Sequence, residues 1–445
     1  MVKVITYGTY DLFHYGHLRL LERAKALGDY LIVGVTSDSF DLTRGKINAQ
    51  QSLMERIESV RATGLADEII VEEYEGQKID DIKRYDIDIF TVGSDWKGHF
   101  DYLSEFCKVV YLDRTEGVSS SDIRSSERTL RIGVVGELPA LEKFRKECKY
   151  VNGATICGLY SLDTRLLSNE LKKLPTYNDY EQLLNNSDAV FIYSSSQYHY
   201  DQVKQALLNR KHVLCESPLA LSTELWDELK SLAIQNKVIL MDSLKTAYST
   251  AYYRLLLMVK SGIIGDVVSV DSICTSQSNL QMSQTENFPY IWNTISEWGP
   301  TAMLPIFQLL GTDYSDKVIT TKLQEGTTDF DLFTKISFIY PHGVASMKIG
   351  QGVKSEGELI ISGTKGYIYV PAPWWKTDYF EVRYENPNNN KRYFYQLDGE
   401  GIRYEIVSFL KTINRGTDFK YVDDSISKAI VKVMQDFINQ KYIRI

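Results

Sequence analysis

Residues 6–17 read Thr-Tyr-Gly-Thr-Tyr-Asp-Leu-Phe-His-Tyr-Gly-His, and the imidazoles of His14 and His17 are the side chains best suited to chemistry in this chain. The apolar stretch Val2–Tyr7 predicts a strand, and Gly8 lets the chain turn and brings backbone N–H groups close to a phosphate. His14 and His17, with Gly16 between them, fall where a helix over Leu18–Leu27 begins. A helix N-terminus offers unpaired N–H groups and the positive end of the dipole, which suits a polyphosphate. Two imidazoles there can donate hydrogen bonds to a phosphate whose negative charge grows in the transition state. Two histidines near a turn are, taken alone, also an ordinary surface feature.

Two further stretches favour the chemical reading. Residues 90–96, Phe-Thr-Val-Gly-Ser-Asp-Trp, predict a strand that ends at Gly93 with an acid, Asp95, on its turn. Residues 114–124, Arg-Thr-Glu-Gly-Val-Ser-Ser-Ser-Asp-Ile-Arg, set a cation, hydroxyls and a glycine turn before a new helix. Ser119 and Ser120 are good N-cap residues, and a cap site and an anion site share one geometry. Three phosphate-competent strand ends within 124 residues point to a nucleotide site.

His-x-Gly-His is the signature of the nucleotidylyltransferases, and from Met1 to about Arg124 the chain resembles the bacterial glycerol-3-phosphate cytidylyltransferases. Leu-Leu-Glu-Arg-Ala-Lys at 20–25 and Leu-Gly-Asp-Tyr-Leu at 27–31 belong to that resemblance. It implies that Gly8, Thr9, Tyr10, Asp11, His14 and His17 bind a triphosphate, and that Lys46, with Arg44 keeping a second positive charge beside it, reaches the phosphates. It implies too that Gly93 and Asp95, with Arg114, Thr115, Gly117, Ser119 and Ser120, hold cytosine, ribose and triphosphate. An arginine of the family falls at Gly64; either Arg61, one turn earlier, replaces it or the acceptor pocket differs.

The implied reaction is in-line attack of an alcohol phosphate on the α-phosphorus of CTP, with pyrophosphate leaving. Positioning and charge neutralisation carry such transfers. His14 and His17 would stabilise the α-phosphate, and Lys46 and Arg114 the β- and γ-phosphates. Mg²⁺ is expected on the phosphates and water, with Asp11 its protein contact. The resemblance further implies CTP over ATP, a homodimer, and CDP-glycerol or a related CDP-polyol destined for a surface polymer such as teichoic acid or capsule.

At 445 residues and 44% hydrophobic content the chain can bury two or three cores. A net charge of −8 argues against a nucleic-acid partner. No apolar run is long enough for membrane insertion, and the chain runs straight into a strand at Val2, so a cytoplasmic protein is expected. The five cysteines show no metal-ligand spacing and read as reduced thiols.

After Arg124 a fresh buried strand begins at Leu130, and strands at Gly153–Tyr160, Ala189–Tyr193, His212–Cys215 and Val238–Met241 alternate with helices at Asp201–Asn209 and Thr223–Asn236. That alternation predicts a doubly wound parallel sheet. Lys211-His-Val-Leu-Cys-Glu-Ser-Pro-Leu-Ala220 and Ser261-Gly-Ile-Ile-Gly-Asp-Val267 resemble segments of the glucose–fructose/inositol oxidoreductase family. The expected fold class is therefore α/β: a cytidylyltransferase domain over 1–128, a second Rossmann domain over 130–245, and a β-rich α+β domain over 246–445 with a returning helix at Asp424–Asn439.

The motifs of this second half depart from that family. Gly136-Glu-Leu-Pro-Ala-Leu141 keeps only the first glycine of a dinucleotide fingerprint, and Glu137 adds negative charge where a pyrophosphate would rest. Ser217 stands at the family's catalytic lysine, and Glu297-Trp-Gly-Pro-Thr301 lacks its histidine. NAD(P) is therefore not expected, and the second half reads as a non-redox binding or scaffolding module. The rival reading is a bifunctional enzyme with an NAD(P)-dependent sugar- or polyol-phosphate reductase. His199 and His212 read as packing residues, and Trp374-Trp375 as a loop anchor, with an exposed stacking platform the alternative.

Overall fold

The computed structural model describes all residues except 38–50, 75, 114–128, 137–139, 152, 162–166, 278–292, 327–329, 396–398 and 416–419. The chain divides into two compact units, 1–129 with 151–153, and 130–150 with 154–445.

Unit 1 is built on five parallel strands, β1 (Lys3–Gly8), β2 (Tyr30–Thr36), β3 (Glu68–Glu72), β4 (Ile89–Gly93) and β5 (Lys108–Leu112), in the order β3-β2-β1-β4-β5. Successive residues of a strand face opposite ways, so an apolar run such as Val4-Ile5 feeds two cores. Val4, Leu31, Val33 and Val35 pack with Leu21 and Ala24 of α1 (Tyr15–Lys25) and with Ile57 and Val60 of α2 (Leu53–Arg61). Ile5, Tyr7, Ile32, Phe90 and Val92 pack with Ile82 of α3 (Gln77–Tyr85) and with Phe100 and Leu103. The chain winds outward from β1 to β3, then restarts at β4 on the other side of β1. That reversal opens a crevice beyond Gly8 and Gly93, the position where open α/β sheets bind ligands.

Unit 2 repeats the plan. β6 (Leu130–Gly136), β7 (Ala154–Tyr160), β8 (Thr176–Tyr177), β9 (Ala189–Tyr193), β10 (His212–Glu216) and β11 (Leu240–Ser243) form a parallel sheet in the order β11-β10-β9-β6-β7-β8. Here the winding reverses between β6 and β9. α4 (Ala140–Cys148), α5 (Tyr180–Asn185), α6 (Ser196–Leu208) and α7 (Thr223–Asn236) flank the sheet. α6 begins earlier than the apolar spacing suggests, because Ser196 to Tyr200 carry polar and aromatic groups that hide the period.

After α8 (Thr250–Lys260) a nine-stranded sheet follows, containing β12 (Val267–Ser276), β13 (Asp316–Leu323), β14 (Asp331–Tyr340), β15 (Gly343–Gln351) and β16 (Leu359–Gly363). α9 (Thr294–Leu310) packs on it and α10 (Ile402–Arg415) follows. The expected returning helix is α11 (Asp424–Ile438); Trp226 Nε1 of α7 donates to its Ser427 Oγ at 2.9 Å. No helix among the described residues is long and apolar enough to cross a membrane.

Candidate functional site

His14 is the N-cap of α1. Its Nδ1 accepts the Gly16 N–H at 3.0 Å, and its carbonyl takes the N–H groups of His17 and Leu18 at 2.9 and 3.1 Å. With Nδ1 an acceptor, the ring proton sits on Nε2, so that edge is a donor. Burial holds the imidazole below its ordinary pKa, which keeps it neutral at pH 7. The His17 ring stacks on it with centroids 4.0 Å apart and planes at 24°. The pair therefore stands at the helix N-terminus beside the crevice, as its spacing implies.

The sharp turn before the pair is not made by Gly8, which ends β1 in register with Val35. Tyr10 and Leu12 take the left-handed backbone, at φ 54° and 49°, a costly conformation for side-chain-bearing residues that clusters at functional loops. Gly8 is needed for proximity instead, since a Cβ there would lie 3.0 Å from the Tyr10 ring. That ring is buried and meets His17 edge-on at 5.5 Å, so Tyr10 supports the histidine and has only its backbone to offer a phosphate. Asp11 is buried, and its Oδ1 accepts the Gln51 N–H at 2.9 Å, tying the loop to the start of α2.

Arg56, on the inner face of α2, is fully buried. Its guanidinium donates to the carbonyls of Thr9 and Thr36 at 2.7 Å each, and to that of Gln51 at 3.2 Å. One cation thus gathers the β1 end, the β2 end and the segment leading into α2. Beneath it Lys78 pairs with Glu72, which also accepts from Thr36 Oγ1 at 3.1 Å, while the Tyr7 hydroxyl donates to Asp81 at 2.8 Å. The motifs do not point to these groups. Their signal is a charged residue at a helix position whose neighbours by spacing, Ile57 and Val60, are apolar.

Asp95 sits in a single helical turn, Ser94–Trp96, at the end of β4 and is exposed across the sheet reversal from the histidines. Gly93 has an ordinary φ of −63°, and a Cβ there would meet nothing within 4 Å, so packing does not force the absence of a side chain. Arg61 pairs with Glu58 on an exposed face of α2, and a Cβ at Gly64 would meet nothing within 4 Å. Arg44, Lys46, Arg114, Thr115, Gly117, Ser119 and Ser120 lie outside the described residues. Among the described residues no group of three or more His, Cys, Asp or Glu is placed to hold a metal ion.

The crevice of unit 2 has another character. At its first strand end Gly136 adopts φ 127°, and a Cβ there would lie 1.9 Å from the Tyr193 carbonyl. This is the tight turn that the first glycine of a dinucleotide fingerprint makes. Glu137 and Leu138 lie outside the described residues, and Leu141 is fully buried. A cavity of about 220 Å³ beyond β9, β10 and β11 is lined by Tyr193, Glu216, Ser217, Lys245, Glu297, Thr301 and Glu405 among others. Burial, reinforced by Glu297, pushes the Glu216 carboxyl up to about 8, and burial raises Glu405 to about 8. His199 is buried between the carbonyls of Ser194 and Pro218 at 2.8 and 2.7 Å, a packing role as expected. Trp374 is fully buried, as an anchor should be, while Trp375 borders a cleft.

Comparison with known proteins supports this division of character. Residues 5–126 match the family model described as cytidylyltransferase-like, and residues 130–243 the one described as oxidoreductase family, NAD-binding Rossmann fold. The glycerol-3-phosphate cytidylyltransferase of Bacillus spizizenii is 52% identical over 130 residues, covering 29% of this chain and 100% of that protein. That of Staphylococcus aureus is 47% identical over 128 residues, covering 28% of this chain and 93% of that protein. The chain belongs to the cytidylyltransferase-like family and is a nucleotidyltransferase. Its relatives at this level of identity, the Bacillus subtilis protein at 49% included, are glycerol-3-phosphate cytidylyltransferases.

Unit 2 shares its fold with solved oxidoreductases. A 3-ketoreductase from Actinomadura kijaniata, in complex with NADP and TDP-benzene, aligns with a TM-score of 0.62 at 14% identity, covering 72% of this chain and 99% of that one. An oxidoreductase from Agrobacterium radiobacter, in complex with NAD⁺, L-tartaric acid and magnesium, aligns with a TM-score of 0.59 at 18% identity, covering 68% and 94%. The expectation that NAD(P) is absent is thereby corrected: the match over 130–243 is to an NAD-binding fold, and fold neighbours hold NADP or NAD⁺. What the structure retains for that fold is the tight turn of the first fingerprint glycine, which Gly136 makes although the other motif positions have changed.

Proposed function

We propose that unit 1 transfers the cytidylyl group of CTP to glycerol-3-phosphate, forming CDP-glycerol and releasing pyrophosphate. The observation that carries this reading is the stacked His14–His17 pair at the N-terminus of α1, with an Nε2–H donor beside the switch-point crevice. An acceptor phosphate oxygen attacks the α-phosphorus in line, and the pair donates to the α-phosphate oxygens as charge grows on them. Arg56 holds the surrounding strand ends so that the loop bearing the pair keeps its shape. In this reading Lys46 and Arg114 would neutralise the β- and γ-phosphates, and Mg²⁺, with Asp11 its protein contact, would supply further charge neutralisation. A homodimer in the cytoplasm, feeding a surface polymer such as teichoic acid, completes the proposal. The division into domains at 1–128, 130–245 and 246–445 is part of it, supported by the three separate sheets.

The test is pyrophosphate release with CTP or ATP against glycerol, ribitol, arabinitol and ethanolamine phosphates. CTP with glycerol-3-phosphate should give the highest kcat/KM, because a pocket built for one base edge leaves buried polar groups unpaired with another. Equal kcat/KM for ATP and CTP overturns the nucleotide assignment.

The match to an NAD-binding family favours a second activity, an NAD(P)-linked oxidoreductase in unit 2. Gly136 would make the tight turn ahead of the bound dinucleotide, whose nicotinamide would supply hydride chemistry. Titration of NADH and NADPH into the full chain, followed by tryptophan fluorescence, tests it.

A further inference from the structure

A parallel sheet presents strand-end carbonyls at the edge where its ligand binds, and each carbonyl oxygen repels an anion. In unit 1 these carbonyls are taken up by donors. Arg56 Nη1 donates to the carbonyl of Thr9, just past β1, and to that of Thr36, the last residue of β2, at 2.7 Å each. The carbonyl of Glu72, which ends β3, accepts the Ser37 N–H at 2.8 Å. On the other side of the winding reversal, the carbonyl of Asp113, just past β5, accepts from Arg23 Nη1, again at 2.7 Å. Arg23 does for β5 what Arg56 does for β1 and β2.

Arg23 belongs to α1, the helix whose N-cap is His14. The two residues are nine apart in sequence, about 13 Å along a helix axis. Apolar packing joins the same helix to the same strand end. Leu20 of α1 and Leu112, the last residue of β5, border one hydrophobic core. One rigid element therefore carries the histidine pair at its start and grips the exit of β5 farther along. Folding does not require the Arg23 bond, because the Asp113 carbonyl belongs to an exposed residue that water could serve at little cost. A guanidinium spent on such a carbonyl serves placement more than stability.

We propose that Arg23 is a positioning residue for nucleotidyl transfer. It fixes the point and direction in which the chain leaves β5, at a set distance from the His14–His17 pair. The groups that follow Asp113 then meet the triphosphate in step with the imidazoles. Arg114 is the next residue in sequence, so the inference rests on the phosphate role proposed for it. A misplacement of about 1 Å at a reacting centre can cost a hundredfold in rate, and the loss of one anchoring bond on a partly exposed strand end costs less.

The test measures pyrophosphate release, together with calorimetric binding of CTP and of inorganic triphosphate, for the full chain and for Arg23→Ala, Arg23→Lys and Lys25→Ala. Alanine is the best helix former, so Arg23→Ala should keep α1 and leave the melting temperature within about 2 °C of the wild type. It should raise KM for CTP, and Kd for CTP and triphosphate, roughly tenfold, with KM for glycerol-3-phosphate changed less than about twofold. Arg23→Lys returns one donor to the carbonyl and should recover most of that loss. Lys25→Ala removes a cation from the same helix, one bonded to the Asp29 carbonyl ahead of β2 at 2.9 Å and to Asp67, and should bind triphosphate like the wild type. Unchanged affinity for CTP and triphosphate in Arg23→Ala overturns the proposal. So does an equal loss in Lys25→Ala, which would reduce the effect to net charge, or a loss that follows the melting temperature. Wild-type protein that does not bind triphosphate overturns it too. If the wild type binds triphosphate but shows no preference for CTP, or releases no pyrophosphate, the function proposed for unit 1 falls. A tenfold loss of triphosphate binding in Arg23→Ala would in that case still support the placement.

Discussion

The two crevices of this chain are built on one plan and carry opposite chemistry. In each, a parallel sheet reverses its winding direction beside the first strand, so strand ends part and leave room for a ligand. In unit 1 the rim is a helix N-terminus capped by His14, and the charges beneath it are paired: Glu72 with Lys78, Arg56 with three carbonyls. In unit 2 the rim carries Glu216 and Glu405, raised by burial, and the cations are gathered to one side on Glu400. The topology fixes where a ligand can sit, and the side chains decide what it can be. A site made for developing negative charge and a site lined by protonated acids have the same address in the fold.

The largest effect that could break this contrast is at the histidines. His14→Ala or His17→Ala should lower kcat for pyrophosphate release by roughly a hundredfold or more, the scale of removing one donor to developing charge. Folding should persist, since the pair lies at the crevice, although loss of the His14 cap should cost about 1 kcal/mol. Binding of NADPH to unit 2 should not change. A variant that turns over at the wild-type rate removes the pair from the reaction and leaves it a helix cap.

Some of this contrast is legible in the sequence. His14-x-Gly16-His17 reads directly, because a helix cap and an anion site depend on residues within one helical turn of each other. The second sheet, the strand-rich region and the returning helix also read well, since alternation of apolar segments is a local signal. The cluster of Lys143, Lys245 and Lys376 on Glu400 cannot be read, because the three lysines have no shared spacing and meet only through the packing of three elements. Arg56 escapes notice because charge on a helix is ordinarily solvated; only burial reveals that it is bonded to the backbone on the inner face. At Gly136 the motif misleads, because the changed positions after it hide the tight turn that the retained glycine still makes.

A middle-sized effect separates the acids of unit 2 from one another. Unfolded glutamate titrates near 4.3, and Glu405, 1% exposed, titrates at about 8 in the fold. Between those values the folded state holds a proton that the unfolded state has released. The stability Glu405 contributes is therefore fully present at low pH and lost as pH rises from the unfolded value through about 8, with a limiting slope of ~1.4 kcal/mol per pH unit. Glu400, lowered to about 2, behaves oppositely: its contribution is present above the unfolded value and is lost as pH falls toward 2. Urea unfolding of the full chain at pH 5.5, 7 and 8.5 should show the transition of unit 2 weakening with pH. Glu405→Gln should flatten that dependence, and an unchanged slope in that variant would show that the acid is charged in the fold.

The smallest expected effect concerns the position at which unit 1 departs from its relatives' pattern. An arginine expected two helical turns beyond Glu55–Arg56 is replaced by Gly64, and Arg61 is the nearest cation in sequence. Its guanidinium is turned to Glu58 three residues earlier, on an exposed face of α2. An exposed pair of that spacing is worth less than about 0.5 kcal/mol, because water screens it and two long side chains must be ordered to make it. Arg61→Ala should therefore leave stability within ~0.5 kcal/mol and kcat/KM for glycerol-3-phosphate within about twofold of the wild type. A fall of tenfold or more, with stability unchanged, would place Arg61 at the acceptor phosphate. It would then do the work of the missing arginine from one turn away, and the charge inventory of the unit 1 crevice would need that cation added.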